Sequence, residues 1–303
     1  MARFEYMSRE ACVCGIGLAA GARAVVRDFS WGPIRFVRCE TCGSWCQSPQ
    51  ITPRSSAAWY DSEEYQGSIA RRGSGYVNYL ADEALRLAEA RGRLARDMAP
   101  CLPARSARVL EIGCATGSVL AVLREAGHEV HGIDLSAAFA AAARQLHGLD
   151  VRVSDIASAP FEEDGFDLIL MFGTVSNLTA LPCALERVRR LLRPEGSVLL
   201  NYPDAAALVP RLYGTSFWMF APSVNTFLTT AGLGQALRNA GLEELWHRTD
   251  RQRPSLGKLF NQARCGWALP LLDRLGLQSA PLPLSLPIPG VKLLRARVAR
   301  GGG

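Results

Sequence analysis

Val109-Leu-Glu-Ile-Gly113-Cys-Ala-Thr-Gly117-Ser-Val-Leu120 is the stretch that decides the fold of this chain. Val109 to Ile112 is a short apolar run with strand character, closed by small residues that lead into a helix at Ser118. The first turn of a helix carries N–H groups without partners and the positive end of the helix dipole. It therefore attracts a polar or anionic ligand group. Small residues at 113, 115 and 117 let a ligand come close to the backbone. Downstream the pattern repeats. Helices are predicted at 118–125, 137–146 and 185–192, and strands at 129–133, 151–153, 166–172 and 197–200. Such alternation predicts an α/β fold with helices on both faces of a mostly parallel sheet. Two late strands are predicted at 244–248 and 291–298. An amphipathic stretch at 256–277 and the Pro-rich run 281–289 lie between them. The Pro-rich run is read as an apolar loop covering the domain, in preference to a polyproline ligand.

Around this core the 303 residues divide into a Cys-rich section (1–55), a connector with a helix (56–105) and the α/β section (106–303). The Cys-rich section has one strand-like run, at 34–38. The connector helix is marked by Val77, Leu80, Ala84, Leu85, Leu87, Ala88 and Leu94 at helical spacing, and Pro100 and Pro103 end it. With 49% apolar and 20% charged residues, the chain is not disordered. No apolar run approaches the ~20 residues of a membrane span. The first residues also lack the apolar centre of a signal peptide, so a cytoplasmic protein without a membrane partner is expected. Lys and Arg number 34 against 28 Asp and Glu, an excess too mild to imply nucleic acid. Five of the nine cysteines fall in the first 46 residues. In a reducing compartment they do not form a disulfide framework. Cys101, Cys114, Cys183 and Cys265 are read as small buried hydrophobes.

The glycine turn does not fit the Gly-x-Gly-x-x-Gly spacing of nicotinamide-binding folds, because Ala115 stands at the second position and the last glycine is Gly117. Glu111, two residues before the first glycine, also points elsewhere. The segment resembles the first motif of class I S-adenosylmethionine-dependent methyltransferases, with Ala115 in place of the middle glycine. The resemblance covers about 76–250 and implies a Rossmann-like sheet. It also implies a cofactor site made of Glu111, Gly113, Cys114, Ala115 and Gly117 in the turn. His131-Gly-Ile-Asp134-Leu-Ser supplies the acid expected on the ribose hydroxyls, where a charged acceptor makes the stronger bonds. Val153-Ser-Asp155-Ile-Ala supplies Asp155 for the adenine amine. Leu135, Ile156 and Phe172 are expected to line the cofactor, and Tyr76, with Tyr79 on the same helix, to close over its carboxylate. Phe166-Asp-Leu-Ile-Leu and Leu191-Leu-Arg-Pro-Glu-Gly196 match the family's fourth strand and the turn before its fifth.

Cys39-Glu-Thr-Cys42-Gly43 has the spacing of a zinc knuckle, in which two thiolates point at one metal from a tight turn. Cys12-Val-Cys14-Gly15 would be the opposite half. The pair resembles the N-terminal zinc ribbon of bacterial methyltransferases acting on deoxysugars and other natural products, as do Pro49 and the Tyr60…Tyr65 connector. Ala11 holds the place of the first ligand, with Cys12 displaced by one. A structural zinc on Cys12, Cys14, Cys39 and Cys42 is implied, with Cys46 as a substitute ligand or free thiols as the alternatives.

Methyl transfer is an in-line displacement in which positioning supplies much of the rate. Many relatives carry a Glu-His pair after strand four; here those positions are Ser176 and Asn177. Where relatives typically carry a further histidine over the acceptor, this chain has Asn225. His128, His131, His147 and His247 are not read as catalytic. Asp204, with Tyr202, in the loop after strand five is the candidate base, and Asn177, Tyr213, Trp218 and Asn225 are the candidate acceptor contacts. The expected function is methyl transfer to a small molecule, a natural-product or deoxysugar intermediate. Two alternatives stay open: the same cofactor fold used for cyclisation or aminocarboxypropyl transfer, or a non-catalytic scaffold. Nucleic acid is not an expected partner, because no basic run interleaved with aromatics is present.

Overall fold

The structure is a computed structural model that describes residues 3–19, 21–63, 65, 82–214, 217, 219–257, 260, 266–277, 280 and 282–299. The N-terminal section contains more strand than its sequence pattern predicts. β1 (Tyr6–Met7), β2 (Ala24–Phe29), β3 (Gly32–Arg38), β4 (Trp45–Gln47) and β5 (Gln50–Ile51) precede helix α1 (Pro53–Tyr60). β2 escapes a sequence reading because Val25 alone among its residues is buried, so it shows almost no alternation. Its pairing with β3 holds it in place. The Thr52 side chain caps α1 by accepting from the Ser55 N–H, and Pro53 opens its first turn.

The connector helix α2 is described from Glu83 to Arg93, and a π turn (Leu94–Met98) and a 3-10 turn (Ala99–Cys101) extend it. Val77 and Leu80, expected at its start, lie outside the described residues. Then follow β6 (Arg108–Ile112), α3 (Ser118–Glu125), β7 (Glu129–Asp134), α4 (Ala137–His147), β8 (Val151–Val153), β9 (Phe166–Met171), α5 (Leu181–Leu191) and β10 (Leu192–Pro203). The chain continues through α6 (Leu208–Tyr213), β11 (Thr226–Phe227), α7 (Thr230–Asn239), β12 (Leu242–Gln252), α8 (Leu269–Arg274) and β13 (Leu286–Val298).

Seven strands form the central sheet in the order β12-β13-β10-β9-β6-β7-β8. β8, β7, β6, β9 and β10 run parallel, while β13 is antiparallel to both of its neighbours. Successive residues of the central strands supply two cores. Val109, Leu168, Leu170 and Leu199 pack with Met98 and Leu123 on one face. Leu110, Ile169, Met171, Val198 and Leu200 pack with Leu185, Val188 and Leu237 on the other. All six residues of β9 are buried. At about 1.5–3 kcal/mol for each large apolar side chain, this one strand is a major source of stability.

The Pro-rich run departs from expectation. Leu286 to Pro289 form the start of β13, paired with β12 in the register Leu286–Gln252 and Pro287–Arg251. Pairing with β10 begins only at Val291–Pro203. The prolines thus sit where β13 has a neighbour on one side only, the setting in which a missing N–H is tolerated. The N-terminal strands join the core through β11, which adds to β4 in the register Thr226–Cys46. The resulting four-stranded sheet is ordered β11-β4-β3-β2.

Candidate active site

The sheet changes winding direction between β6 and β9, and in open α/β sheets ligands bind in the crevice at such a point. A cavity of about 1230 Å³ lies there. A drug-sized pocket measures roughly 300–1,000 Å³, so this one has room for two ligands side by side. Its floor is the glycine turn. Gly113 has φ +73°, and a Cβ on it would lie 2.3 Å from the Thr174 Oγ1. Ala115 keeps the left-handed conformation of the glycine it replaces (φ +47°), which costs about 1–2 kcal/mol for an L-residue. Its N–H is held by Asp134, which accepts it on Oδ2 (2.8 Å) and the Ser136 N–H on Oδ1 (2.9 Å). Burial, above all, pushes the Asp134 carboxyl above its ordinary value. Tyr60 and Tyr65 meet edge to face beside it, with ring centroids 4.8 Å apart.

A second group of charges braces one wall. Arg93 makes two hydrogen bonds to Asp250 (3.0 and 2.8 Å) and an ion pair with Glu89 (3.0 Å), and its guanidinium lies 4.8 Å from the centre of the Phe172 ring. Asn201 donates to the same Asp250 (2.8 Å) and accepts the Gly173 N–H (2.6 Å), which fixes the loop after β9. Glu111 is buried with an oxygen that has no partner among the described residues; burial, and then the Asp134 charge, raise its carboxyl far above the usual range. At the start of α2, Glu83 accepts from Ser118 (2.7 Å) and Thr116 (3.2 Å), and it pairs with Arg86 and His147.

Most of the residues expected from sequence meet in this cavity: Glu111, Gly113, Cys114, Ala115, Asp134, Leu135, Asp155, Ile156 and Phe172 line it, as do Asn177 and Tyr213. Gly117 sits just behind, in the left-handed cap of α3. One Asp155 oxygen is already shared with the Ser158 N–H (2.8 Å) and hydroxyl (3.0 Å). Tyr76, Tyr79 and Trp218 lie outside the described residues.

Asp204 and Tyr202, the expected base, do not line the cavity. Strand alternation turns Asn201 and Pro203 toward it and Tyr202 away. The Tyr202 hydroxyl donates to Thr230 (3.0 Å), which donates to Asp204 (2.9 Å), and both residues are buried. Asn225 is also set back: its amide donates to the Asn177 carbonyl (2.6 Å), which braces the turn carrying Ser176. Cys101 and Cys114 are buried as expected, but Cys183 is exposed on the cavity wall, and Cys265 lies outside the described residues. All four histidines are bonded elsewhere, and none lines the cavity. Sequence reading missed Arg86, Glu89, Arg93 and Asn201. Arg86 and Glu89 read only as the charged face of the connector helix, and Arg93 and Asn201 take their roles from Asp250, far along the chain.

At the N-terminus, two tight turns oppose one another. The Gly15 N–H bonds the Cys12 carbonyl and the Gly43 N–H bonds the Cys39 carbonyl, each at 2.9 Å. The sulfurs of Cys12, Cys14, Cys39 and Cys42 lie within 4.8 Å of one another. Cys12–Cys42 is 3.5 Å and Cys14–Cys39 is 3.8 Å. A tetrahedral ion with Zn–S bonds of ~2.3 Å needs sulfurs about 3.8 Å apart, so the set fits. Cys12 reaches the cluster despite its displaced position. Hydrogen bonding to Cys12, then burial, push the Cys42 thiol up to about 12. Cys46 stands 3.6 Å from Cys12, outside the group of four.

An α/β sheet with a switch-point cavity, an acid at the end of β7 and a small-residue turn before α3 defines a class I, Rossmann-like methyltransferase architecture. Residues 79–247, more than half of the chain, match the family model described as "Methyltransferase domain", and the chain belongs to that family. A malonyl-[acyl-carrier protein] O-methyltransferase of Enterobacter lignolyticus (strain SCF1) is 37% identical over 141 residues, 45% of this chain and 55% of its own length. The chain thus spans about half the length of that curated relative. A nocamycin O-methyltransferase of Saccharothrix syringae is 28% identical over 211 residues, 57% of this chain and 75% of its own length. Among solved structures, the magnesium protoporphyrin IX methyltransferase of Synechocystis PCC 6803 superposes with a TM-score of 0.52. It is 14% identical and covers 82% of this chain and 100% of its own. At that identity the likeness is one of fold. By family and fold the chain carries a methyltransferase domain beside a zinc-ribbon-like N-terminal cluster, and among the described residues no helix is long and apolar enough to cross a membrane.

Proposed function

We propose that the chain transfers a methyl group from S-adenosylmethionine to a small-molecule acceptor, a natural-product or deoxysugar intermediate. The observation that carries this reading is the two-part lining of the cavity. One part joins the glycine turn to Asp134, Asp155 and Ile156, a set suited to a nucleoside. The other is walled by Phe217, Met219, Val224, Val209 and Ile288. When bound, S-adenosylmethionine supplies a methyl group already activated on a sulfonium. Asp134 would hold the ribose hydroxyls, and the glycine turn would pack along the methionine part. The unpartnered Glu111 oxygen offers a buried acceptor toward the same group.

The chain's own contribution to the chemistry is alignment. Ser176 lines the cavity with a buried hydroxyl that has no partner among the described residues, beside Asn177. Both are neutral hydrogen-bonding groups and neither is a base near neutral pH. An acceptor that is already an anion or a free amine suits this wall better than an alcohol. The four N-terminal thiolates would hold one zinc as a closed structural site, with no open position for a substrate. Such a site fits a reducing, cytoplasmic setting.

Incubation with S-adenosylmethionine and an extract of candidate acceptors, read by mass spectrometry, tests the reading. The expected product gains one methyl group and S-adenosylhomocysteine appears in equal amount. The lack of a histidine at the cavity favours a second reading, non-methyl chemistry on the same cofactor fold. Any product mass other than a methyl gain would select it, and no turnover with every acceptor would favour a scaffold.

A further inference from the structure

We propose that the mouth of the cavity docks on an anionic membrane surface. Between β12 and β13 the chain makes a long excursion, closed at its base where the Leu282 N–H bonds the Pro254 carbonyl (3.0 Å) and the Leu256 N–H bonds the Ala280 carbonyl (3.2 Å). That base belongs to the cavity wall, which includes Gln252, Pro254 and Leu286. On the helical part of the excursion, Ala268 and Leu272 turn inward and are buried. Trp267 lies in the short 3-10 turn (Gly266–Ala268) that leads into α8, Leu271 within α8 and Leu275 just beyond it. They are 80%, 58% and 60% exposed. A helix apolar on its outer as well as its inner face needs a covering phase.

A second element repeats the arrangement. α6 packs against β13, with Pro210 Cδ 3.3 Å from where a Cβ on Gly290 would stand. Its Val209 and Tyr213 line the cavity, while Leu208 and Leu212, four residues apart, are 69% and 74% exposed. α6 beside the β13 wall and the helical part of the excursion that opens from that wall therefore both present bare apolar residues outward.

Charge selects the occupant. Among the side chains described in these two segments and at the base of the excursion, the exposed charged ones are Arg211, Arg251 and Arg274, all cationic. A second copy of the chain would bring these like charges together, whereas an anionic lipid surface complements them. Tryptophan and leucine over a cationic flank are the composition of helices that lie in a bilayer interface, which needs no membrane-spanning segment. An acceptor dissolved in the bilayer would then reach the cavity without crossing water.

Sedimentation of the full chain with vesicles tests this independently of the acceptor. Vesicles of phosphatidylcholine and phosphatidylglycerol at three to one should carry down at least ten times more protein than phosphatidylcholine alone, and high salt should release it. Trp267→Ser with Leu271→Ser should lower binding at least tenfold, while S-adenosylhomocysteine affinity by calorimetry stays unchanged. Leu208→Ser with Leu212→Ser should lower it further. Equal partition to both vesicle types, no partition at all, or undiminished binding by the Trp267/Leu271 variant would overturn the proposal. Self-association in sedimentation velocity that those substitutions abolish, without vesicle binding, would assign the face to a second copy instead.

Discussion

Replacement of Asp134 by Asn tests the proposed cofactor site with the least disturbance of shape. Each carboxylate oxygen already accepts one backbone N–H, from Ala115 and from Ser136. A carboxylate has about four acceptor positions, so two remain for the two ribose hydroxyls. An amide has one oxygen, and its NH₂ would face one of those backbone N–H groups, donor against donor. Hydrogen bonds to a charged group contribute ~1.5–3 kcal/mol and neutral ones ~0.5–1.5 kcal/mol, so two ribose bonds lose about 2–3 kcal/mol together. At ~1.4 kcal/mol per decade, affinity should fall roughly 30- to 150-fold. Calorimetric titration with S-adenosylhomocysteine measures this, with circular dichroism as the check on folding. A pH series adds a second readout. Only the ionised carboxylate accepts both hydroxyls, and burial holds this carboxyl above its ordinary value of 3.8. Wild-type affinity should therefore decline on acidification before an ordinary carboxylate would titrate, while the Asn variant stays flat. An Asn variant within threefold of wild type would refute the assignment of the ribose to Asp134.

Metal analysis of protein purified without chelator should find close to one zinc per chain. Cys39→Ser should lose it and Cys46→Ser should keep it; the reverse pattern would exchange the ligand. Gln replacing His128, His131, His147 or His247, one at a time, should leave kcat within about tenfold, since none lines the cavity. A thousandfold loss at any of them would reveal a hidden base. Asp204→Asn should leave kcat within about threefold but lower the melting temperature, because the carboxylate accepts from Thr230 and from the Ala206 N–H. Burial alone would raise Asp167, but hydrogen bonds from Arg105, the Arg108 N–H and Arg193 outweigh it and hold the carboxyl at about 2. Its stabilisation is complete above the unfolded value of about 4 and is lost as pH falls toward the folded one. Asp167→Asn should thus unfold at lower urea than wild type at pH 7, and the difference should shrink between pH 4 and pH 2.

The parallel core was legible in the sequence because its signals are local. Buried strands such as 166–171 read as short apolar runs, α3 was delimited to the residue at Ser118–Glu125, and α4 was extended only by His147. Asp134 could be found for the same reason, since strand, acid and glycine turn follow one another at fixed intervals. β2 could not, because a strand with a single buried residue is specified by its partner β3 and not by its own pattern. The Pro-rich start of β13 was misread because proline forbids a strand only where both edges are paired.

Residue types and their order along the chain determined the fold class, the glycine turn, the acid beyond it and the four thiols of the N-terminal cluster. Direction and distance belong to the tertiary structure. Strand alternation turned Tyr202 and Asp204 into the packing beneath α7, although their place just after the predicted fifth strand made them the candidate base nearest an expected acceptor. The sulfurs of Cys12 and Cys14 come within reach of Cys39 and Cys42 only because two separate turns fold face to face. Arg93, Asp250 and Asn201, spread over three elements, form one network because their side chains share a space in which none of them could remain buried alone: an unpaired buried charge costs several kcal/mol.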